Sequence, residues 1–250
     1  MATRRDGTSE RARASRPLTL LGVGVAVVAL VLAAPAIGDQ AADLRTRMTA
    51  ECTVDMAGSP VRLTAEQAQR ATTAVALRGR GTPPATDDIE PAVLRRLTDV
   101  PSQDTGPVLT CRAEQDGDLQ VEAVGDDGLT PRARAVLDTM TDVFGEQSLG
   151  GFAPGGVDSG HGAESTHYDG RAVDVFFRPV TQDSRREGWV LAHWLVAHAE
   201  DLDIQFVIWD DRYWGVRGSG RGWRDYDAPP PRTEILRHLD HVHVDVLRGS

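Results

Sequence analysis

The 250-residue chain has no lysine and no asparagine, and all 27 of its basic residues are arginine. Both missing residues have A/T-rich codons, so their absence points to a bacterial genome of high G+C content. A surplus of positive charge is missing as well. Net charge is −10, and the first 38 residues carry five arginines against Asp6 and Glu10, which leaves about −13 on the remainder. An acidic body of this kind excludes the basic patch on which nucleic-acid affinity depends. Cysteine is reduced to Cys52 and Cys111. If the chain is exported, an oxidising compartment favours one disulfide between them over two free thiols. Internal repeats are absent. At this length the chain allows one or two domains with a sizeable core.

Long apolar runs are absent except for one. Arg4, Arg5, Arg11, Arg13 and Arg16 precede an uninterrupted apolar and glycine stretch from Leu18 to Ala34. The uncharged segment Pro17–Gly38 would extend about 33 Å as a helix at ~1.5 Å per residue, enough for a hydrocarbon core of ~30 Å. A secretory apolar region is shorter, about 7–15 residues. An uncleaved single-pass anchor is therefore favoured over cleavage at Ala34-Pro35-Ala36. In both cases the arginines stay cytoplasmic and the rest of the chain lies outside the membrane.

Residues 1–38 thus form the cytoplasmic tail and apolar helix, and 39–126 read as a small α/β accessory module. In that module Thr64-Ala65-Glu66-Gln67 is a capping-box pattern that opens a helix to about Leu77. Val108–Ala113 and Leu119–Val124 read as two strands around Asp116-Gly117. Gly125-Asp126-Asp127-Gly128 marks a boundary, and 128–250 form the second domain. There Thr130-Pro131 supplies an N-cap and a first-turn proline for a helix to about Phe144. A strand near 149–152, a helix over about 183–199, a strand at 204–209, a Gly/Arg/Pro-rich loop at 215–231 and a terminal strand follow. The order predicts an α+β fold with helices to one side of a sheet.

Two short stretches of this second part carry chemistry. Ser165-Thr166-His167-Tyr168-Asp169-Gly170-Arg171-Ala172-Val173-Asp174 holds one imidazole and two carboxylates, and Asp240-His241-Val242-His243 adds two imidazoles and a third carboxylate. Together they offer an imidazole, a carboxylate and a second imidazole, the three protein ligands that a catalytic zinc needs if its fourth position is to hold water. Gly170 can reverse the chain after His167, since it tolerates positive φ. Ala172 and Asp174 then share one strand face, with Val173 and Val175 on the other. At the C-terminus His241, His243 and Asp245 alternate with Val242, Val244 and Val246, valines inward and imidazoles toward a cleft. If the two strands are neighbours, Asp174 and His243 can meet.

The remaining histidines carry weaker signals. His193 and His198 lie in an apolar helical stretch and read as packing residues. His161, in a loop with Gly155, Gly156, Gly160 and Gly162, can line a rim; His238 sits in no pattern. Trp209, Trp214 and Trp223 read as core and groove wall.

The pattern S-x-H-x-x-G-x-A-x-D followed by a late [D/E]-x-x-H resembles the signature of the D-alanyl-D-alanine carboxypeptidase and L,D-endopeptidase group of zinc peptidases. That fold is shared with the hedgehog signalling domain and the lysostaphin-type enzymes. The chain is similar in particular to exported actinobacterial proteins with a G-R-A-x-D element, a V-I-W strand and a terminal D-H-V-H-V. Those elements stand here as Gly170–Asp174, Val207–Trp209 and Asp240–Val244, within a likeness that covers about 128–248. The resemblance implies Zn²⁺ on His167, Asp174 and His243, with Asp240 as general base. His241 makes the second motif also an H-x-H, as in lysostaphin-type relatives, where that histidine assists catalysis. Asp240 has the wrong parity for the ligand face unless the strand begins after it, so the two compete, with Asp240 favoured as the base and His241 as a supporting or transition-state donor.

One departure stands out. Many such peptidases carry arginine in a G-[YF]-R segment before the histidine motif, and this chain has Gly151-Phe152-Ala153. Arg171, Arg217, Arg221 and Arg224 are candidate substitutes. The implied function is a zinc metallopeptidase that hydrolyses peptidoglycan stem peptides, as carboxypeptidase or endopeptidase. The alternative is a non-catalytic, zinc-containing domain that binds cell wall or a partner.

Overall fold

The computed structural model of the chain describes residues 51–250, apart from 79, 102–106, 116 and 163. The arginine-rich tail and the apolar segment expected to be an anchor lie outside the described residues. None of the described helices is long and apolar enough to cross a membrane. The described residues form one compact unit.

The fold is mixed α+β, with two antiparallel sheets and four helices among the described residues. Strands β1 (Cys52–Asp55), β2 (Pro60–Leu63) and β3 (Leu109–Cys111) make a small sheet in the order β2-β1-β3. The larger sheet runs β4-β5-β9-β6-β7-β8. It is built from β4 (Leu149–Gly150), β5 (Ala172–Phe176), β6 (Ile204–Trp209), β7 (Arg212–Gly215), β8 (Arg224–Asp225) and β9 (His241–Val246). The helices are α1 (Ala65–Ala76), α2 (Pro91–Arg96), α3 (Pro131–Phe144) and α4 (Gln182–Ala197).

Local signals set the helix starts. Thr64 accepts from the Gln67 amide while the Gln67 side chain accepts from the Thr64 amide, which satisfies two donors that α1 would otherwise leave open. At α3 the Thr130 hydroxyl accepts from the Ala133 amide without a return bond, with Pro131 at the first helical position. Thr181 and Ser184 cap α4 reciprocally. One sequence expectation fails: residues 119–124 form no strand; β7, outside every predicted element, pairs with β6. Around 119–124 the backbone is held by Arg132 instead. Its guanidinium donates to the Gln120 carbonyl and its amide to Glu122.

The core explains the orientation of the larger sheet. Val173, Val175, Val242, Val244 and Val246 are all buried in it. Helices α3 and α4 pack against β5, β6 and β9. The small sheet feeds the same core. Cys52 and Cys111 stand opposite each other across β1 and β3 and are joined as a disulfide. A bridge spanning 59 residues contributes about 4 kcal/mol in the chain-entropy description. Trp214 and Trp223 donate from their indole nitrogens to the carbonyls of Cys111 and Leu109, so their polar ends are satisfied inside the core. Trp209 is fully buried as well.

Candidate metal centre

With the valines of β5 and β9 turned to the helices, the alternate residues of both strands face the other way. There they line a cleft of about 950 Å³, with Asp174, His241 and His243 in its floor. A smaller cavity, about 610 Å³, holds Arg185, Asp210, Asp211 and Arg237, arginine–aspartate pairs that neutralise one another.

His167 reaches the floor from a single 3-10 turn, Thr166–Asp169. The Ser165 hydroxyl accepts from the His167 amide at its start, and Gly170 ends it in the left-handed conformation, φ +65°. A Cβ at Gly170 would lie 2.7 Å from the Gly128 carbonyl, so the sharp entry into β5 needs glycine. Asp174 and His243 then face each other directly in the β5–β9 register. β9 starts at His241, so Asp240 lies before the strand and escapes its parity.

The Asp174 carboxylate is the hub. Its Oδ1 lies 3.0 Å from His243 Nδ1, 3.4 Å from His167 Nε2 and 3.7 Å from His241 Nε2. All four side chains are buried. Ligand atoms ~2.0–2.1 Å from a tetrahedral ion lie about 3.3–3.4 Å from one another; the His167–Asp174 separation matches this, while His243 Nδ1 stands at hydrogen-bond distance from Asp174 Oδ1. The group whose donor atoms all lie within 4.8 Å of one another is His161, His167 and Asp174, and it can hold a metal ion. Thus the structure brings His167 and His243 to one oxygen of Asp174, while the metal-competent group among the described residues joins His161, not His243, to His167 and Asp174.

Other features fit a cation. Burial disfavours charge on Asp174, but hydrogen bonds with His167 and His243 and the adjacent imidazoles outweigh it, holding the carboxyl well below its ordinary range. Burial lowers the His243 pKa against the pull of Asp174, which favours neutral imidazole. An anionic carboxylate beside neutral imidazole is the protonation state that ligation requires. His167 Nδ1 is buried without a hydrogen-bond partner. Gly151, at φ +80°, makes room for the set: a Cβ there would lie 2.2 Å from His167 Cε1 and 3.1 Å from an Asp174 oxygen.

Asp240 and His241 form a second unit beside the hub. His241 Nδ1 lies 2.8 Å from Asp240 Oδ1, which leaves Nε2 on the Asp174 side. The other Asp240 oxygen receives Arg178, from Nε at 2.7 Å and Nη2 at 2.6 Å. Burial pushes the Asp240 carboxyl up, and His241 and Arg178 more than reverse this, so its pKa is lowered. Asp240 is not among the described residues that line the cleft, whereas His241 and Arg178 are.

Two cleft residues escaped the sequence reading. Arg178 lies half exposed, its guanidinium 4.0 Å from the centre of the Phe176 ring. The alternation that puts Ala172 and Asp174 on one face continues to Phe176 and Arg178, so this signal was available. His238 offered none. Its backbone has φ +53°, and its ring stands 4.7 Å from that of His241. Burial depresses its pKa to about 2. Of the arginines the sequence proposed, Arg171 lines the cleft, but its guanidinium is bound to Asp169, Gln205 and the Val246 carbonyl. Arg217 points to Gln115, and Arg224 lies over Tyr213.

Over residues 125–234 the chain is similar to a family model described as VldE, C-terminal domain. The matched span takes in His161, His167, Asp174 and Arg178 and stops before Asp240–His243. No curated protein and no solved structure matches the chain.

Proposed function

We propose that the chain is a zinc-dependent peptidase that hydrolyses peptidoglycan stem peptides outside the membrane, held there by its N-terminal apolar helix. The observation that carries this reading is the Asp174 carboxylate, met by His243 across two strands and by His167 from a glycine-ended turn. The fold of the D-alanyl-D-alanine peptidase and hedgehog group is part of the same proposal. Its support is the adjacency of the two ligand-bearing strands. Imidazole with carboxylate suits zinc among the common divalent ions. When bound to His167, Asp174 and His243, zinc would supply a Lewis acid and a water of lowered pKa.

The protein's own groups then divide the remaining work. Asp240, whose two oxygens are engaged by His241 and Arg178, acts through His241 rather than on water itself. It fixes the tautomer with the proton on Nδ1, and His241 Nε2 accepts a proton at the cleft floor and returns it to the leaving amine. Arg178 offers the cation that Ala153 cannot. Its exposed guanidinium, stacked on Phe176, suits a substrate carboxylate.

The second reading is a non-catalytic wall-binding or partner-binding domain. Ala153 in place of the expected arginine favours it. Digestion of purified peptidoglycan fragments by the full chain, with metal analysis alongside, decides between the two. We expect His241→Ala to keep its metal and lose about 10²–10⁴-fold in cleavage rate, the usual contribution of a positioned acid–base group. Wild-type protein that holds metal and releases nothing from any stem peptide would establish the binding domain.

A further inference from the structure

The metal reading leaves two cleft imidazoles unused, His161 and His238, and only His161 shares a metal-competent group with His167 and Asp174. His161 lies in a loop of glycines on the open side of the cleft, and its ring centre is 4.1 Å from that of His167, tilted by 31°. One of its nitrogens lies within 4.8 Å of ligand atoms of both His167 and Asp174. It is also exposed, unlike the other two.

The segment around it is loosely packed. A Cβ placed at Gly155, Gly156, Gly160 or Gly162 would meet nothing within 4 Å. Residue 161 is nevertheless held at one point. Its amide donates to the Tyr168 hydroxyl at 3.1 Å, and the same hydroxyl donates to its carbonyl at 2.7 Å. Tyr168 directly follows His167, so the clasp that fixes the His161 backbone is built on the same turn as a ligand.

We propose that His161 is a fourth, displaceable protein ligand of the metal, held over it by the Tyr168 hydroxyl. This rests on the metal reading above. Four protein donors close a site, whereas catalysis needs an open position. The exposed, weakly packed donor is the one that can leave, held by two hydrogen bonds to one hydroxyl and by ring contacts with His167 and Tyr168. The resting site is then closed by protein, and the cleft becomes competent when a substrate draws residue 161 away.

The test uses the full chain stripped with a chelator and reloaded with Co²⁺ or Zn²⁺. Affinity is read by competition with a chromophoric chelator, and coordination by the visible absorption of Co²⁺. His161 is exposed, so His161→Ala retains the wild-type fold by circular dichroism. We expect that variant to bind Zn²⁺ about 10–100-fold more weakly, at least the range seen when a ligand's own hydrogen-bond partner is lost, and to alter the Co²⁺ spectrum. Tyr168→Phe should shift both readouts in the same direction by less. If wild type binds metal while His161→Ala matches it in affinity and spectrum, His161 is only a rim residue and the metal reading survives. If wild type binds neither ion, the metal reading and this inference fall together.

Discussion

His193 on α4 and His243 on β9 are both buried, yet their surroundings assign them opposite work. His243 faces the Asp174 carboxylate and the rings of His167 and His238. His193 packs 5.3 Å from Trp189, with its Nε2 near the Leu109 amide, and His198 packs 4.5 Å from Trp194 and meets the Thr73 hydroxyl. Among the described residues no carboxylate is ion-paired to either helix histidine. What separates a candidate ligand from a packing residue here is therefore one anion held across a strand pair. Burial alone does not distinguish them.

The largest effect that sharpens this comparison is acid sensitivity. Burial depresses His193 to about 3 and His198 to about 4, from an ordinary 6.5. Between those values and 6.5 the unfolded chain binds protons that the folded chain refuses. Stability is thus fully present above 6.5 and lost as pH falls. At pH 5 each should cost about 2 kcal/mol relative to pH 8, measured by urea unfolding. His198→Gln should remove about that share of the loss, and an unchanged acid dependence would refute the assignment.

On the cleft side, Gly151→Ala forces a side chain into the space of His167 and Asp174 at a positive φ. We expect a loss of about 1–3 kcal/mol in thermal or urea unfolding and a weaker metal site, with the helix histidines' acid response unchanged. Equal metal affinity in this variant would mean that the cradle is not needed. The smallest effect is His198→Gln at pH 8, where a neutral residue replaces a neutral one. Stability should change by less than about 1 kcal/mol and metal content not at all.

Strands β5 and β9 were legible because a two-residue period is local. Alternating valines and polar residues fix which side chains share a face in β5 and in β9, whatever lies next to them. Helix starts were legible for the same reason, since Thr64 and Thr130 act within three residues. The β5–β9 register that sets Asp174 against His243 is a long-range pairing, and the sequence could state it only as a condition. His161 and His238 reach the cleft from loops, where φ values of +91° at Gly160 and +53° at His238 redirect the chain without a periodic signature. The false strand at 119–124 shows the converse. Its apolar alternation was real, but Arg132 engages its backbone and side chains, and no partner strand follows.

Titration of chelator-stripped full-length protein with Zn²⁺, wild type beside Asp174→Asn, tests the central claim most directly. The account predicts one tightly held ion per chain in wild type and a loss of more than about 100-fold in affinity in the variant, beyond the range of an outer hydrogen-bond partner. Binding of equal strength in both proteins, or no binding in wild type, would contradict it.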